Sequence, residues 1–279
     1  MGPQQLEARR AFFAHLVTAN AGVSDRRVPD AFAATPSERS VGPGPWRVYT
    51  PLGYIDTPSA DPSFLYQNIT IALESEGSIN NGQPTLHAFC LAALKLQQGD
   101  TIVHIGAGTG HYTALLANLT GPTGVIEAFE IEPRLAERAA ANLADLENVK
   151  VHSRSGSGAP LPSCDAIFVN AGATGPLDSW LDALRPGGRL IFPMTPAEGA
   201  GAMLLITRRS DTLFEARFLC RALFIPCAGA RDRAFAHVLS EAFQCKDLKA
   251  VRSFRRHTPP DDTCWLEGPG WWLSTAANE

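Results

Sequence analysis

The chain predicts an α/β fold: a doubly wound, mainly parallel sheet with an N-terminal helical and loop extension and a C-terminal appendage. Three observations carry this expectation. Strand-like and helix-like runs alternate from residue 101 onward; three glycines fall between the first of those strands and its helix; and an acid, Glu130, closes the next strand. Such alternation implies parallel strands covered on both faces by helices.

The elements follow in order. Residues 5–20 read as a helix with Leu6, Phe12, Phe13, Leu16 and Val17 on a rough apolar face, stopped by Asn20 and Gly22. Residues 35–62 are rich in Pro and Gly and predict an extended, ordered loop, anchored on the body by Trp46, Tyr49 and Tyr54. A helix is expected from Pro84, suited to a first turn, to Gly99, with Leu86, Phe89, Ala93, Leu94 and Leu96 at helical spacing. Then TIVHI (101–105) reads as a strand, HYTALLANLT (111–120) as a helix and VIEAFEI (125–131) as a strand. PRLAERAAANLADL (133–146) is the next helix, with Pro133 in its first turn. VKVHS and CDAIFVN are strands, GPLDSWLDAL a helix and GRLIFPM a strand. Two strands separated by a turn are expected over 201–224 and a helix over 233–249, while the tail WLEGPGWWLS reads as short, aromatic and irregular. The boundaries that result are an extension over 1–98, a cofactor-binding body over 99–230 and an appendage over 231–279.

Composition limits the function. With 279 residues, 45% hydrophobic and a net charge of −4, the chain buries a sizeable core and is not dominated by disorder. No run reaches the ~18 apolar residues of a membrane span, and no lysine or arginine block marks a nucleic-acid surface. The start, MGPQQLEARR, has no apolar signal core, so a cytoplasmic setting is expected. Cys90, Cys164, Cys220, Cys227, Cys245 and Cys264 show no CxxC or metal spacing and read as buried free thiols; no metal is expected.

The segment VHIGAGTGHY (103–112) carries most of the chemistry. Glycines 106, 108 and 110 let backbone approach a ligand at a helix N-terminus, and Glu130 stands where a carboxylate can accept from ribose hydroxyls. A dinucleotide fingerprint needs a glycine three residues after Gly108, where this chain has His111. The spacing suits a ligand without a pyrophosphate, such as S-adenosylmethionine.

Five stretches then resemble class I S-adenosylmethionine-dependent methyltransferases, specifically the protein-L-isoaspartate O-methyltransferase family. They are Val23, Asp25, Arg27 and Val28 with PSERSV (36–41); SINNGQPTLHAF (78–89); HIGAGTG (104–110); DAIFVNAG (165–172); and LRPGGRLIFP (184–193). The resemblance spans about residues 10–195. It implies a Rossmann-like fold, S-adenosylmethionine as cofactor, and a cofactor site at Ser78, Ile79, Gly106, Ala107, Gly108, Gly110, Glu130, Ile131, Ser153, Arg154 and Ser155. Three departures stand out. His104 replaces the acid usually two before the first glycine; the G-D-G segment becomes residues near Ser153–Gly156; and T-I-S-x-P becomes SINNGQP, two residues longer and without the family's active-site serine.

Methyl transfer from a sulfonium is in-line displacement, so alignment is the enzyme's main contribution, and an ionised carboxylate acceptor needs no general base. Asn80, Asn81, Gln83 and His87 are the candidate acceptor-side residues. Asn81–Gly82 also suits a simple tight turn, His87 also suits packing against an aromatic ring, and His111 is equally readable as a solvent-facing helix residue. Trp180 reads as core, and Trp265, Trp271 and Trp272 as cover for the sheet's edge. The leading function is O-methylation of a carboxylate on a peptide or protein. The alternatives are tailoring of a natural-product peptide or small molecule, and a cofactor-binding adaptor without catalysis. The acceptor is a peptide, protein or small molecule, and neither nucleic acid nor membrane is expected as a partner; the oligomeric state is open.

Overall fold

The computed structural model describes residues 2–74, 79–158 and 160–278. Its elements are α1 (Pro3–Asn20), α2 (Arg27–Ala34), α3 (Glu38–Val41), β1 (Arg47–Thr50), β2 (Gly53–Asp56), α4 (Pro84–Leu94), β3 (Thr101–Ile105), α5 (His111–Thr120), β4 (Val125–Glu130) and α6 (Pro133–Asn142). They continue with β5 (Val149–Ser153), β6 (Cys164–Val169), α7 (Asp178–Ala183), β7 (Leu184–Met194), β8 (Gly201–Arg208), β9 (Leu213–Ala222), α8 (Arg233–Cys245), β10 (Ser253–Arg256), β11 (Cys264–Gly268) and β12 (Trp271–Ser274). The chain forms two compact units, one of residues 1–100 with 107–154 and the other of 101–106 with 155–279.

In the first unit, Phe13 of α1 meets Phe32 of α2 edge-on at 6.4 Å and Tyr66 at 5.7 Å. Phe13, Val17, Phe32, Leu91 and Leu94 are buried, each large side chain contributing roughly 1.5–3 kcal/mol by leaving water. A second cluster joins Val41, Trp46, Leu65, Ile71, Leu73 and Leu135, with Ile79 packed against it. Helix α5 is buried on nearly every side, as its lack of charge dictates. β4 and β5 run parallel, Glu130 opposite Ser153.

The expected loop at 35–62 contains more structure than its composition suggested. Val41 ends a short helix, and β1 and β2 form an antiparallel hairpin with Tyr49 opposite Tyr54. Trp46 is buried as an anchor, whereas Tyr49 is exposed. Helix α4 is shorter than expected: Lys95 takes the left-handed conformation (φ 51°) and closes it after Leu94, ahead of Gly99. Helix α6 ends at Asn142, short of residue 146, and α8 at Cys245, short of 249.

In the second unit the strand order is β11-β12-β10-β9-β8-β7-β6-β3. β3, β6 and β7 are parallel, and β8 onward add antiparallel strands. The tail corrects the sequence reading: it is a regular hairpin, with β12 paired to both β11 and β10. Gly268, Pro269 and Gly270 punctuate a turn and do not break up the strands; Gly270 has φ +75°. Trp271 stacks on Phe254 at 5.5 Å and meets Phe235 edge-on at 5.5 Å. Trp180 is fully buried, as expected for core, and its indole N–H donates to the Gly156 carbonyl at 3.0 Å. Cys90, Cys164 and Cys227 are buried, as expected of the cysteines, but Cys245 is exposed and Cys220 and Cys264 only half-buried.

Candidate active site

The glycine turn leaves β3 at Gly106 and enters α5 at Gly110. Gly106, Gly108 and Gly110 have φ of 77°, 56° and 91°, the left-handed region where a side chain is strained. Space imposes the same choice: a β-carbon at 110 would lie 2.8 Å from Leu143 Cδ1, and one at 108 would lie 3.1 Å from Leu73 Cδ1. The Ala107 N–H donates to the Phe129 carbonyl at 3.1 Å, and the Asn142 amide donates to the Thr109 carbonyl at 2.9 Å.

Glu130 is fixed to this turn. Its Oε2 accepts from the Gly108 N–H at 2.6 Å and its Oε1 from the Glu132 N–H at 3.0 Å. Burial raises its pKa, against the backbone hydrogen bonds that lower it. Each oxygen keeps a further lone pair for a ligand hydroxyl. Beside it, Ile131 exposes an apolar side chain. Beyond β5, Ser153 is exposed and the Arg154 guanidinium lies 4.6 Å over the Phe129 ring. In the second unit, Ser155 Oγ lies 2.6 Å from Ser157 Oγ and accepts from the Ser157 N–H at 3.1 Å, a local turn that engages that hydroxyl.

The expected acceptor segment is a strand-like ladder ending in a tight turn. Ser78 lies outside the described residues. The Leu73 N–H donates to the Ile79 carbonyl at 2.9 Å, and Ala72 bridges Asn80. Asn81 exchanges two bonds with Ile71: its N–H donates to the Ile71 carbonyl at 3.0 Å, and its Oδ1 accepts from the Ile71 N–H at 2.7 Å. Asn80 Oδ1 accepts from the Gly82 N–H at 3.0 Å. Both asparagine oxygens therefore build the turn, and the amide N–H groups are what these residues can turn toward a ligand. Gln83 is exposed and makes no capping bond at the start of α4.

His87 is packed, as one of its two readings had it: it is buried and stacked on Tyr112. His111, equally readable as solvent-facing, is also buried; its Nδ1 has no hydrogen-bond partner among the described residues, and burial lowers its pKa to about 4. The missed signal was the uncharged run after the glycines, which marks a helix with no solvent face. Leu73 packs toward Gly108 while its N–H holds Ile79, so the acceptor segment is tied to the glycine turn within one unit. Among the described residues, no group of three or more His, Cys, Asp or Glu side chains converges as a metal site would require. No helix among them is long and apolar enough to cross a membrane.

The glycine turn before α5, clasped by the acid that ends β4, fits the cofactor site of the S-adenosylmethionine-dependent methyltransferases. Residues 54–232 match the family model of protein-L-isoaspartate(D-aspartate) O-methyltransferase, and the chain belongs to that family. A protein-L-isoaspartate O-methyltransferase of Brucella anthropi is 30% identical over 215 residues, which cover 75% of this chain and 88% of that one. One of Roseiflexus castenholzii is 32% identical over 220 residues, covering 77% and 90%. A solved protein-L-isoaspartate O-methyltransferase shares the fold with a TM-score of 0.67 at 23% identity, covering 84% of this chain and 69% of its own. A second, from Plasmodium falciparum and in complex with S-adenosyl-L-homocysteine, gives 0.63 at 16% identity, covering 79% and 98%. The chain is thus an S-adenosylmethionine-dependent enzyme with a Rossmann-like fold.

Proposed function

We propose that this enzyme methylates a side-chain carboxylate of a peptide or protein, with an isoaspartyl residue as the leading acceptor. Family membership and the clasp between Gly108 and Glu130 support this reading together. The cofactor's amino-acid end would lie along Gly106, Ala107, Gly108 and Gly110, its ribose on Glu130, and its adenine beside Ile131. The three glycines leave the cradle that a β-carbon would fill, and Glu130 is a rigid acceptor, so these residues fit the group. Ser153 and Arg154 would complete the adenine end, with Ile79 on the side of the acceptor segment.

The bound cofactor supplies a methyl group already activated on a sulfonium. An acceptor carboxylate is ionised at neutral pH and needs no proton removed, so the protein's work is alignment. Asn80 and Asn81 offer amide N–H donors from a turn whose oxygens are fixed, and exposed Gln83 adds a third amide. His87 supports that turn from beneath. The free thiols favour a reducing, cytoplasmic setting.

The acceptor segment's departure from the family pattern, SINNGQP in place of T-I-S-x-P, favours a second reading, in which the acceptor is a natural-product peptide or small molecule. Incubation with radiolabelled S-adenosylmethionine and matched isoaspartyl and aspartyl peptides separates the two. Base-labile label in the isoaspartyl peptide alone is expected. Label in neither, with turnover on a natural-product peptide or small molecule, would replace the first reading by the second.

A further inference from the structure

Strand β6 ends at Val169, and the next residue, Asn170, donates its backbone N–H to the Ile105 carbonyl at 2.8 Å. This seats its side chain beside the glycine turn: a β-carbon at Gly106 would stand 3.4–3.6 Å from Asn170's own atoms, ordinary van der Waals contact. The Asn170 amide nitrogen lies 2.9 Å from Nε2 of His104. His104 is buried and neutral, its pKa lowered to about 3 by desolvation, and it stacks on Phe168 at 5.6 Å. With Nε2 accepting from the amide, the Asn170 Oδ1 is turned away from the ring. That oxygen is buried and has no hydrogen-bond partner among the described residues.

A buried carbonyl oxygen without a donor has lost its hydration and gained nothing in return, so its retention calls for a partner that arrives with a ligand. The partner must be a donor. An ionised carboxylate acceptor has none to give, whereas the amino-acid end of S-adenosylmethionine carries an ammonium with three N–H groups. We propose that Asn170 Oδ1, held in place by neutral His104, is the binding partner of the cofactor's ammonium group. The pair stands in for the negative charge that an acid at position 104 would bring to this end of the turn. This inference rests on the placement of the cofactor's amino-acid end at Gly106.

Calorimetric titration with S-adenosylhomocysteine and with 5′-methylthioadenosine, which lacks the amino-acid end, tests it without any turnover. Asn170→Ala is expected to weaken S-adenosylhomocysteine about tenfold and to leave methylthioadenosine within twofold. Asn170→Asp keeps an oxygen facing the ammonium and should bind S-adenosylhomocysteine at least as tightly as the natural protein. Unchanged S-adenosylhomocysteine affinity in Asn170→Ala, equal loss of both ligands, or weakened binding in Asn170→Asp would each overturn the assignment. If the natural protein binds S-adenosylhomocysteine no better than methylthioadenosine, the placement of the amino-acid end at Gly106 fails, and the assignment with it.

Discussion

The imidazole of His87 lies almost flat on the phenol ring of Tyr112, with centroids 3.6 Å apart and planes inclined by 19°. One ring belongs to the first turn of α4, just after the acceptor segment; the other belongs to the first turn of α5, just after the glycine turn. Gly82 abuts the edge of the imidazole, because a β-carbon there would come within 2.3 Å of His87 Nε2. The stack therefore sets the distance between the two turns.

Replacing Gly82 by Ala should separate acceptor handling from cofactor binding. Gly82 has φ +71°, so Ala brings backbone strain of about 1–3 kcal/mol as well as the collision with the imidazole. The expected outcome is a lower melting temperature and a methyl-transfer rate reduced tenfold or more, with cofactor affinity by calorimetry within about threefold. His87→Phe should preserve the stack and most of the rate, and His87→Ala should not. Equal rates for Phe and Ala would show that the stacked ring is not what holds the turn.

Glu130 gives a pH dependence with a definite sign. Its carboxyl accepts from ribose hydroxyls most strongly when ionised, with both oxygens available, and burial raises its pKa. Cofactor affinity should fall as pH drops through that raised pKa, beginning at a higher pH than for an ordinary glutamate, and level off at pH values well above it. Glu130→Ala removes one or two hydrogen bonds worth about 0.5–1.5 kcal/mol each, or about tenfold in affinity. An affinity unchanged in Glu130→Ala would remove the ribose from this position.

Two buried histidines make the fold acid-sensitive. The pKa values of His104 and His111 are lowered to about 3 and about 4, while the unfolded chain takes up protons near 6.5. Their contribution is thus complete above pH 6.5 and is lost as pH falls. The loss levels off below about 4 for His111 and about 3 for His104. Each shift is worth several kcal/mol, on the order of 1.4 per pH unit. Urea unfolding at pH 7.5 and 5.0 should show a marked drop in stability, and His111→Tyr, which removes one titrating ring, should reduce that drop. The same drop in the variant would exclude His111 as a source.

These residues also show which parts of the molecule were legible in the sequence. The alternating body from Thr101 to Met194 was, because each strand and helix there is marked by its own local run and by Pro or Gly at its end. Gly106 to Gly110 and Glu130 were legible for the same reason. The β1–β2 hairpin and the β11–β12 hairpin were not: their glycines and prolines read as breakers, whereas the pairing of the strands on either side makes them turns. The roles of Asn170 and His111 escaped because burial is decided by tertiary packing. Asn81 looked like a ligand-facing amide, but its oxygen is held by Ile71, ten residues away in sequence and adjacent in space, which leaves only its amide N–H groups for that role.

That divided role makes Asn81 the sharpest test of the acceptor segment. Asn81→Ala leaves the Ile71 N–H without its acceptor, which costs about 1–3 kcal/mol, so a loss of activity there would not separate folding from recognition. Asn81→Asp does separate them. One carboxylate oxygen can still accept from Ile71, preserving the turn, while the amide nitrogen becomes a second, negatively charged oxygen. If that nitrogen faces the acceptor, a carboxylate acceptor now meets a like charge in place of a donor. KM for an isoaspartyl peptide should rise tenfold or more, with the melting temperature and cofactor affinity near those of the natural protein. Raising the salt concentration should recover part of the loss, because screening weakens repulsion between solvent-accessible charges. An unchanged KM in Asn81→Asp would assign the whole side chain to the turn and return acceptor recognition to Gln83 and its neighbours.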